Sequence, residues 1–260
     1  MSSSLQTTIR DLHRRRGRER RGLALAEGVR LVEEALASGI PIRGAAVSPA
    51  LEATPRGRAL KAALATAGVP LEEVPASGLD GLADTEHPQG IVAVVQPRRW
   101  SVHHMEPGTG VVLVLDAVQD PGNVGTMLRT SLALGAAGVV ALPGTADLAN
   151  PKVMRGSMGA IFRLAAAPAT LDELLEWAGR HGVRLWVAAA DGDPLTAAAA
   201  ERARSPYPVA LVVGNEGAGI SEALAARADR RVGIPLAPES ESLNAGVAAG
   251  ILLYEVLRGR

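Results

Sequence analysis

The sequence predicts an α/β protein whose second half is a mostly parallel sheet with helices on both faces. Three observations carry this. Val111–Asp116 (VVLVLD) and Val209–Val213 (VALVV) are unbroken apolar runs, the pattern of strands buried on both faces. Strand-like runs alternate with stretches of helical period from Val111 onward. The glycine-rich and polar segments fall where those strands end.

In the first part, residues 5–22 read as a helix or arm, and Leu23–Ala26 as a short strand. Gly28–Ser38 has helical spacing at Val29, Val32 and Leu36. Ile42–Val47, Leu71–Val74 and Ile91–Val95 read as strands, with helices at Arg56–Ala67 and Ser77–Ala83. Residues 1–96 thus form a small α/β unit. Gln96–Gly110 (QPRRWSVHHMEPGTG) has no periodicity and reads as a linker, so a second domain is expected over 111–260. There the expected order is strand Val111–Asp116, helix Val124–Ala136, strand Val139–Leu142, helix Pro151–Ala160 and strand Arg163–Ala166. Helix Leu171–His181, strand Arg184–Ala189, an Ala-rich helix at Thr196–Ala203, strand Val209–Val213, a short strand ending at Ile234–Pro235 and a helix at Ser242–Arg258 complete it.

Composition removes several function classes. With no cysteine there is no disulfide, thiolate metal site or cysteine nucleophile. The five histidines have no metal-ligand spacing, so no metal is expected. No apolar run reaches membrane-span length, and the N-terminus lacks an apolar signal core, so the expectation is a cytoplasmic protein without a membrane partner. Formal net charge is +0. All but two of the 27 basic residues are arginine, and seven of these lie between Arg10 and Arg21. Such a cluster can bind phosphate through planar guanidinium forks. It also fits a solvated helix face in an arginine-biased protein.

Three loops hold candidate chemistry. Asp116–Arg129 ends a strand and opens a helix, with Asn123 at the expected N-cap and Arg129 six residues on. Alone, it reads better as a capped helix with a surface arginine than as a site. Gly214–Gly219 (GNEGAG) is a glycine turn that lets a ligand approach the backbone, and Glu216 is a carboxylate that flexibility alone does not require. It is neither the dinucleotide fingerprint nor a P-loop. Ile234–Asn244 leads into the last helix, where Ser242 is a candidate cap and Asn244 sits in the first turn. Leu243, Val247, Ile251 and Tyr254 are expected to form that helix's apolar face. Arg155–Gly159 (RGSMG) is one residue short of a nucleophile elbow.

Taken together, N-x-G-x-x-x-R at Asn123–Arg129, G-N-E-G at Gly214–Gly217 and I-P-L…S-L-N at Ile234–Asn244 resemble the three motifs of the SpoU (TrmH) branch of the SPOUT RNA methyltransferases. EGVRLVEEAL (Glu27–Leu36) and LADTEHPQGIVAVV (Leu82–Val95) resemble that family's N-terminal RNA-substrate-binding domain, which is similar to RNA-binding ribosomal-protein folds. The resemblance implies S-adenosylmethionine-dependent methylation of a ribose 2′-hydroxyl in structured RNA, with large-subunit rRNA expected over tRNA. It implies a C-terminal trefoil knot and a homodimer with the site at the subunit interface. Carried over by position, it implies a reacting shell of Arg129, Asn123, Glu216, Ser242 and Asn244. The cofactor contacts would be Ala189, Gly214, Ile234, Leu236 and Leu243. Arg129 is then the general base or, being always protonated, a phosphate or alkoxide stabiliser, with Glu216 holding it or the loop. RNA contacts are expected from Arg10, Arg14, Arg15, Arg16, Arg18, Arg20, Arg21 and Arg30. A non-catalytic RNA-binding protein of this fold is the alternative, and a dinucleotide oxidoreductase is disfavoured by the missing fingerprint.

Overall fold

The computed structural model describes residues 4–240 and 242–258; Glu241, within the polar loop singled out above, lies outside them. The chain divides into two compact units, 1–98 with 149–163, and 99–148 with 164–260.

The first unit opens with α1 (Leu5–Leu12) and α2 (Arg15–Arg21), so the expected single arm is two helices. Gly22, in the left-handed conformation, ends the second. There follow β1 (Ala24–Glu27), α3 (Val29–Ala37), β2 (Ile42–Val47), α4 (Pro55–Thr66), β3 (Leu71–Glu73), α5 (Ala76–Asp80) and β4 (Ile91–Val95). Thr54 caps α4 on the Gly57 N–H, with Pro55 at the first position where a missing N–H costs nothing. The sheet order is β1-β4-β2-β3, with only β2 and β3 parallel. Ile9 and Leu12 of α1 close one side of its core against Leu25, Val92 and Val94.

The second unit contributes β5 (Val111–Leu115), α6 (Pro121–Leu134) and β6 (Gly138–Ala141). The chain then returns to the first unit for α7 (Pro151–Gly156) and a 3-10 turn at Ala160–Phe162. This return is not evident from helical period alone. It is held by Arg155, which donates to Glu27 (3.2 Å) and Asp84 (2.7 Å), and by Arg163, which donates to Glu34 at 2.6 Å. Back in the second unit come β7 (Ala166–Pro168), α8 (Leu171–His181), β8 (Arg184–Pro194), α9 (Leu195–Arg204), β9 (Val209–Val213), α10 (Glu222–Ala225), β10 (Arg230–Gly233) and α11 (Ala245–Leu257). Strand β7 starts where the expected strand Arg163–Ala166 ends, because the chain is still turning out of the 3-10 segment at Arg163 and Leu164.

All pairs in the six-stranded sheet, order β10-β8-β9-β5-β6-β7, are parallel. The central strands β5 and β9 are buried along their whole length, which is why they carry no alternation. Trp177 of α8 is fully buried on one face against Val112, Leu185 and Val212. Part of the expected linker is core as well. Val102 and Met105, three residues apart on a 3-10 turn, are buried there, and the Met105 carbonyl accepts from Trp177 Nε1 at 2.9 Å.

On the other face α11 packs against α6. Glycine permits the close approach: a Cβ at Gly246 would lie 3.4 Å from the Thr126 methyl, and one at Gly250 3.6 Å from that of Thr130. The apolar face expected of the last helix is the wrong one. Gly246, Ala249, Leu252, Leu253, Val256 and Leu257 are buried, while Leu243, Val247, Ile251 and Tyr254 are exposed. The helix is apolar nearly all round, so period alone does not choose its inner face.

Trp177→Ala removes one of the two buried tryptophan side chains of this unit and one hydrogen bond. It is expected to lower unfolding free energy by about 3–5 kcal/mol, read as a lower denaturant midpoint for the second unit.

Candidate active site

The parallel order brings the C-terminal ends of β5, β9, β8 and β10 to one edge of the sheet, where α/β folds place ligands. At β5 the chain leaves through Asp116, which is buried and accepts the Ser221 N–H at 2.7 Å. Ala117 follows with φ +56. A non-glycine residue there is strained, and its carbonyl is held by Asn215 Nδ2 at 2.9 Å. Asp120, not Asn123, is the N-cap of α6, accepting the Asn123 N–H at 2.8 Å with Pro121 at the first helical position. The D-P pair carried that signal in the sequence.

Asn123 therefore sits in the first turn, and its amide has two partners. Its Nδ2 donates to Glu216 Oε1 at 3.0 Å, and its Oδ1 accepts from Asn244 Nδ2 at 3.0 Å. Glu216 also accepts the backbone N–H groups of Gln119 and Asp120, each at 3.3 Å. The carboxylate so occupies the positive end of α6. Partial burial pushes the Glu216 carboxyl up. The hydrogen bonds from Asn123 and the backbone outweigh it and leave the pKa below the usual carboxylate value.

Asn244 is itself the N-cap of α11, its Oδ1 accepting from Gly246 (2.9 Å) and Val247 (3.3 Å). Ser242, expected as that cap, lies two residues before it and is exposed. Asn215 shapes the turn by accepting from Gly217 and Ala218, each at 2.9 Å, and pairs with Gly219. Gly214 must be glycine, since a Cβ would lie 2.3 Å from the Gly219 carbonyl oxygen. Asp116 and Asp120 lie outside the three motifs, and Asn215, inside G-N-E-G, is a structural member beyond the expected site residues.

Arg129 does not join this network. It lies on the exposed side of α6, six residues and so a different helix face from Asn123, and has no acidic partner among the described residues. Glu216 holds the loop and not Arg129.

Beside the network is a pocket whose walls include Ala189, Ile234, Leu236, Leu243 and Ser242, five of the expected site residues. Gly214 is not among its lining residues. One wall is an arch in β8. Pairing with β10 jumps from Val187↔Arg231 to Asp193↔Val232, and pairing with β9 ends at Val187, so residues 188–192 leave both ladders. Gly192 and Gly233 make room, since a Cβ on either would fall within 3.0 Å of facing backbone atoms. Asp191 to Arg231 (2.5 Å) and Asp193 to Arg230 (3.1 Å) clasp the arch. The pocket offers apolar walls and backbone groups released from the sheet, a lining that fits a flat heteroaromatic ring read at its edge.

Of the eight arginines expected to meet RNA, Arg18 points inward, donating to the Leu12 and His13 carbonyls at 2.9 Å and fixing the α1–α2 corner. Arg20 and Arg21 pair with Asp11, Arg15 with Glu19, and Arg10 bonds Gln6. Arg14, Arg16 and Arg30 are exposed and uncommitted among the described residues.

Comparison with known proteins now decides the family. The sequence model of the SpoU rRNA methylase family matches residues 110–254, more than half of the chain. The chain belongs to the SpoU rRNA methylase family. A substrate-binding domain model, MRM3-like, matches residues 7–93. Among curated relatives, the 23S rRNA (guanosine(2553)-2′-O)-methyltransferase RlmP of Bacillus subtilis is 34% identical over 249 residues, covering 95% of this chain and 93% of that protein. Among solved structures, an AdoMet-bound rRNA methyltransferase from Sinorhizobium meliloti superposes with TM-score 0.85 at 28% identity, covering 99% of this chain and 97% of that one. The SpoU methyltransferase AviRb from Streptomyces viridochromogenes, in complex with AdoMet, gives 0.83 at 28% identity, covering 99% and 98%. Among the described residues no group of His, Cys, Asp or Glu could hold a metal ion, and no helix could cross a membrane.

Glu216→Gln keeps the shape and removes the charge that anchors Gln119, Asp120 and Asn123. A misplacement of this kind is expected to lower kcat by about 100-fold. Because the folded carboxyl has a depressed pKa, its contribution to stability is present at neutral pH and lost as pH falls through the folded value. The difference in Tm between wild type and Glu216→Gln should therefore shrink on acidification below the ordinary carboxylate range.

Proposed function

We propose that this protein transfers the methyl group of S-adenosylmethionine to a ribose 2′-hydroxyl of ribosomal RNA. The observation that carries the reading is the convergence of Asn123, Glu216 and Asn244 from three distant segments beside the apolar pocket. Family membership and the similarity to RlmP and to AdoMet-bound structures support it.

Ala189, Ile234, Leu236 and Leu243 would hold the cofactor, with the arch at 188–192 reading the adenine edge through its backbone. When bound, the cofactor supplies a sulfonium-activated methyl group, which the ribose oxygen takes as the carbon–sulfur bond breaks. The chain's own contribution is alignment of that oxygen. Asn244 and Ser242 would orient the ribose, a role supported by the fixing of Asn244 through its cap and Asn123 and by Ser242 in the pocket wall. The Arg129 guanidinium, exposed and without an acidic partner among the described residues, suits an RNA phosphate or the developing alkoxide. The proton of the hydroxyl then leaves to phosphate or water beside Arg129. The trefoil knot implied by the family is part of this proposal, and the cytoplasm is its expected place of action.

A homodimer completes the reading. Leu132 of α6, Leu243 just before α11, and Val247, Ile251 and Tyr254 along α11 are large apolar side chains left in solvent, 37% to 56% exposed. Leu243 also lines the pocket, so a second copy laid on this stripe would meet the site.

Tritiated methyl transfer from S-adenosylmethionine to deproteinised total rRNA tests the activity. Label at one position, resistant to alkaline cleavage and lost in Arg129→Ala with cofactor binding intact, is the expected result. Label on tRNA instead would move the substrate, and no cofactor binding would leave an RNA-binding protein. Val247→Glu should convert a sedimenting dimer to monomer with loss of methyl transfer; a wild type that sediments as a monomer at micromolar concentration would sink the dimer.

A further inference from the structure

The R-G-S-M-G stretch has no place in the chemistry above. Ser157 is buried and donates to the Met154 carbonyl at 2.8 Å, so it is not a nucleophile. The stretch lies inside the region matched by the methylase family, yet residues 149–163 pack as part of the first unit. A buried node holds them. The Glu27 side chain, 5% exposed, accepts from the Asp84 N–H (2.8 Å), the Thr85 N–H (3.2 Å), the Thr85 hydroxyl and Arg155 (3.2 Å). Arg155 also reaches Asp84 at 2.7 Å. A carboxylate this buried requires its partner.

We propose that Arg155 is a positioning residue that sets Lys152 beside Arg30 as a contact for backbone phosphate of the RNA substrate. Lys152 lies one turn before Arg155 on α7, so the two are neighbours on the helix surface. Arg30 follows Glu27 by three residues at the start of α3, and α7 packs on β1. Lys152 and Arg30 are both exposed and have no partner among the described residues. The carboxylates of this neighbourhood are taken up: Glu27 and Asp84 by Arg155, Glu33 by Arg56 and Glu34 by Arg163. Arg155 is one cation between two carboxylates, so with Glu86 against Lys152 and Arg30 the formal charge of the group sums to zero, and its two cations without a partner among the described residues are Lys152 and Arg30. Buried pairing thus serves a surface of unpaired cations, the requirement for a phosphate contact. On this view the substrate-binding unit is composite, and its second piece is carried by the methylase sequence.

The inference rests on the RNA methyltransferase reading and is tested on the full-length protein. RNA affinity is measured across salt concentrations with deproteinised rRNA, alongside S-adenosylmethionine affinity and methyl transfer. Lys152→Ala, a surface change, should weaken RNA binding about fivefold and reduce the salt slope by about 1. Cofactor affinity should stay unchanged, with KM for RNA raised more than kcat is lowered. Arg155→Ala should produce at least the same loss of RNA affinity, and Arg155→Lys should recover part of it. An unchanged salt slope in Lys152→Ala overturns the phosphate contact. A lower Tm with unchanged RNA affinity in Arg155→Ala reduces that residue to a fold-stabilising role. If wild type binds RNA but transfers no methyl group, the methyltransferase reading fails, and the salt titration still decides the Lys152 contact.

Discussion

The side-chain amide of Asn123 is the joint on which the site depends. It has one donor end and one acceptor end, and each is used by a different segment, Glu216 after β9 and Asn244 before α11. No single element could supply this geometry, because the three residues come from loops separated by most of the second unit. The parallel sheet makes the meeting possible by delivering β5 and β9 side by side with their ends at the same edge. The strain at Ala117 and the closeness of Gly214 to Gly219 are local consequences of turning the chain at that edge.

Much of this architecture could be read from residues. The buried parallel strands announced themselves because a strand covered on both faces has no polar positions, and VVLVL and VALVV show none. Family motifs named Asn123, Glu216 and Asn244, and the structure joins all three by hydrogen bonds. What stayed hidden was the direction of side chains. Asn123 was read as a cap and Asp120 overlooked, although Pro121 fixes the cap one residue before it. Of the two roles the sequence leaves open for Glu216, holding Arg129 or holding the loop, the structure has the second, since six residues along a helix turn Arg129 away from Asn123. Helix α11 was given its exposed face as its core face, since a helix apolar all round holds no phase information.

Charge was the least legible feature. A run of arginines between Arg10 and Arg21 looks uniform in sequence, yet burial and pairing sort it into different kinds. Arg18 is a buried corner brace, Arg20 and Arg21 share Asp11, and only Arg14 and Arg16 of the run are left without a partner among the described residues. Sequence counts cations, whereas a surface presents only those that the fold has not already neutralised.

The division of the chain also bears on how this family can be recombined. Residues 149–163 travel with the first unit although they are written in the middle of the second. A chimera that exchanges residues 1–98 alone would separate Arg155 and Arg163 from the Glu27 and Glu34 they now pair with, leaving the part-buried Arg155 to depend on the carboxylates the new segment brings. The first unit can be moved intact between relatives only by taking two discontinuous pieces together. The same coupling should appear between homologues as paired changes at positions far apart in sequence.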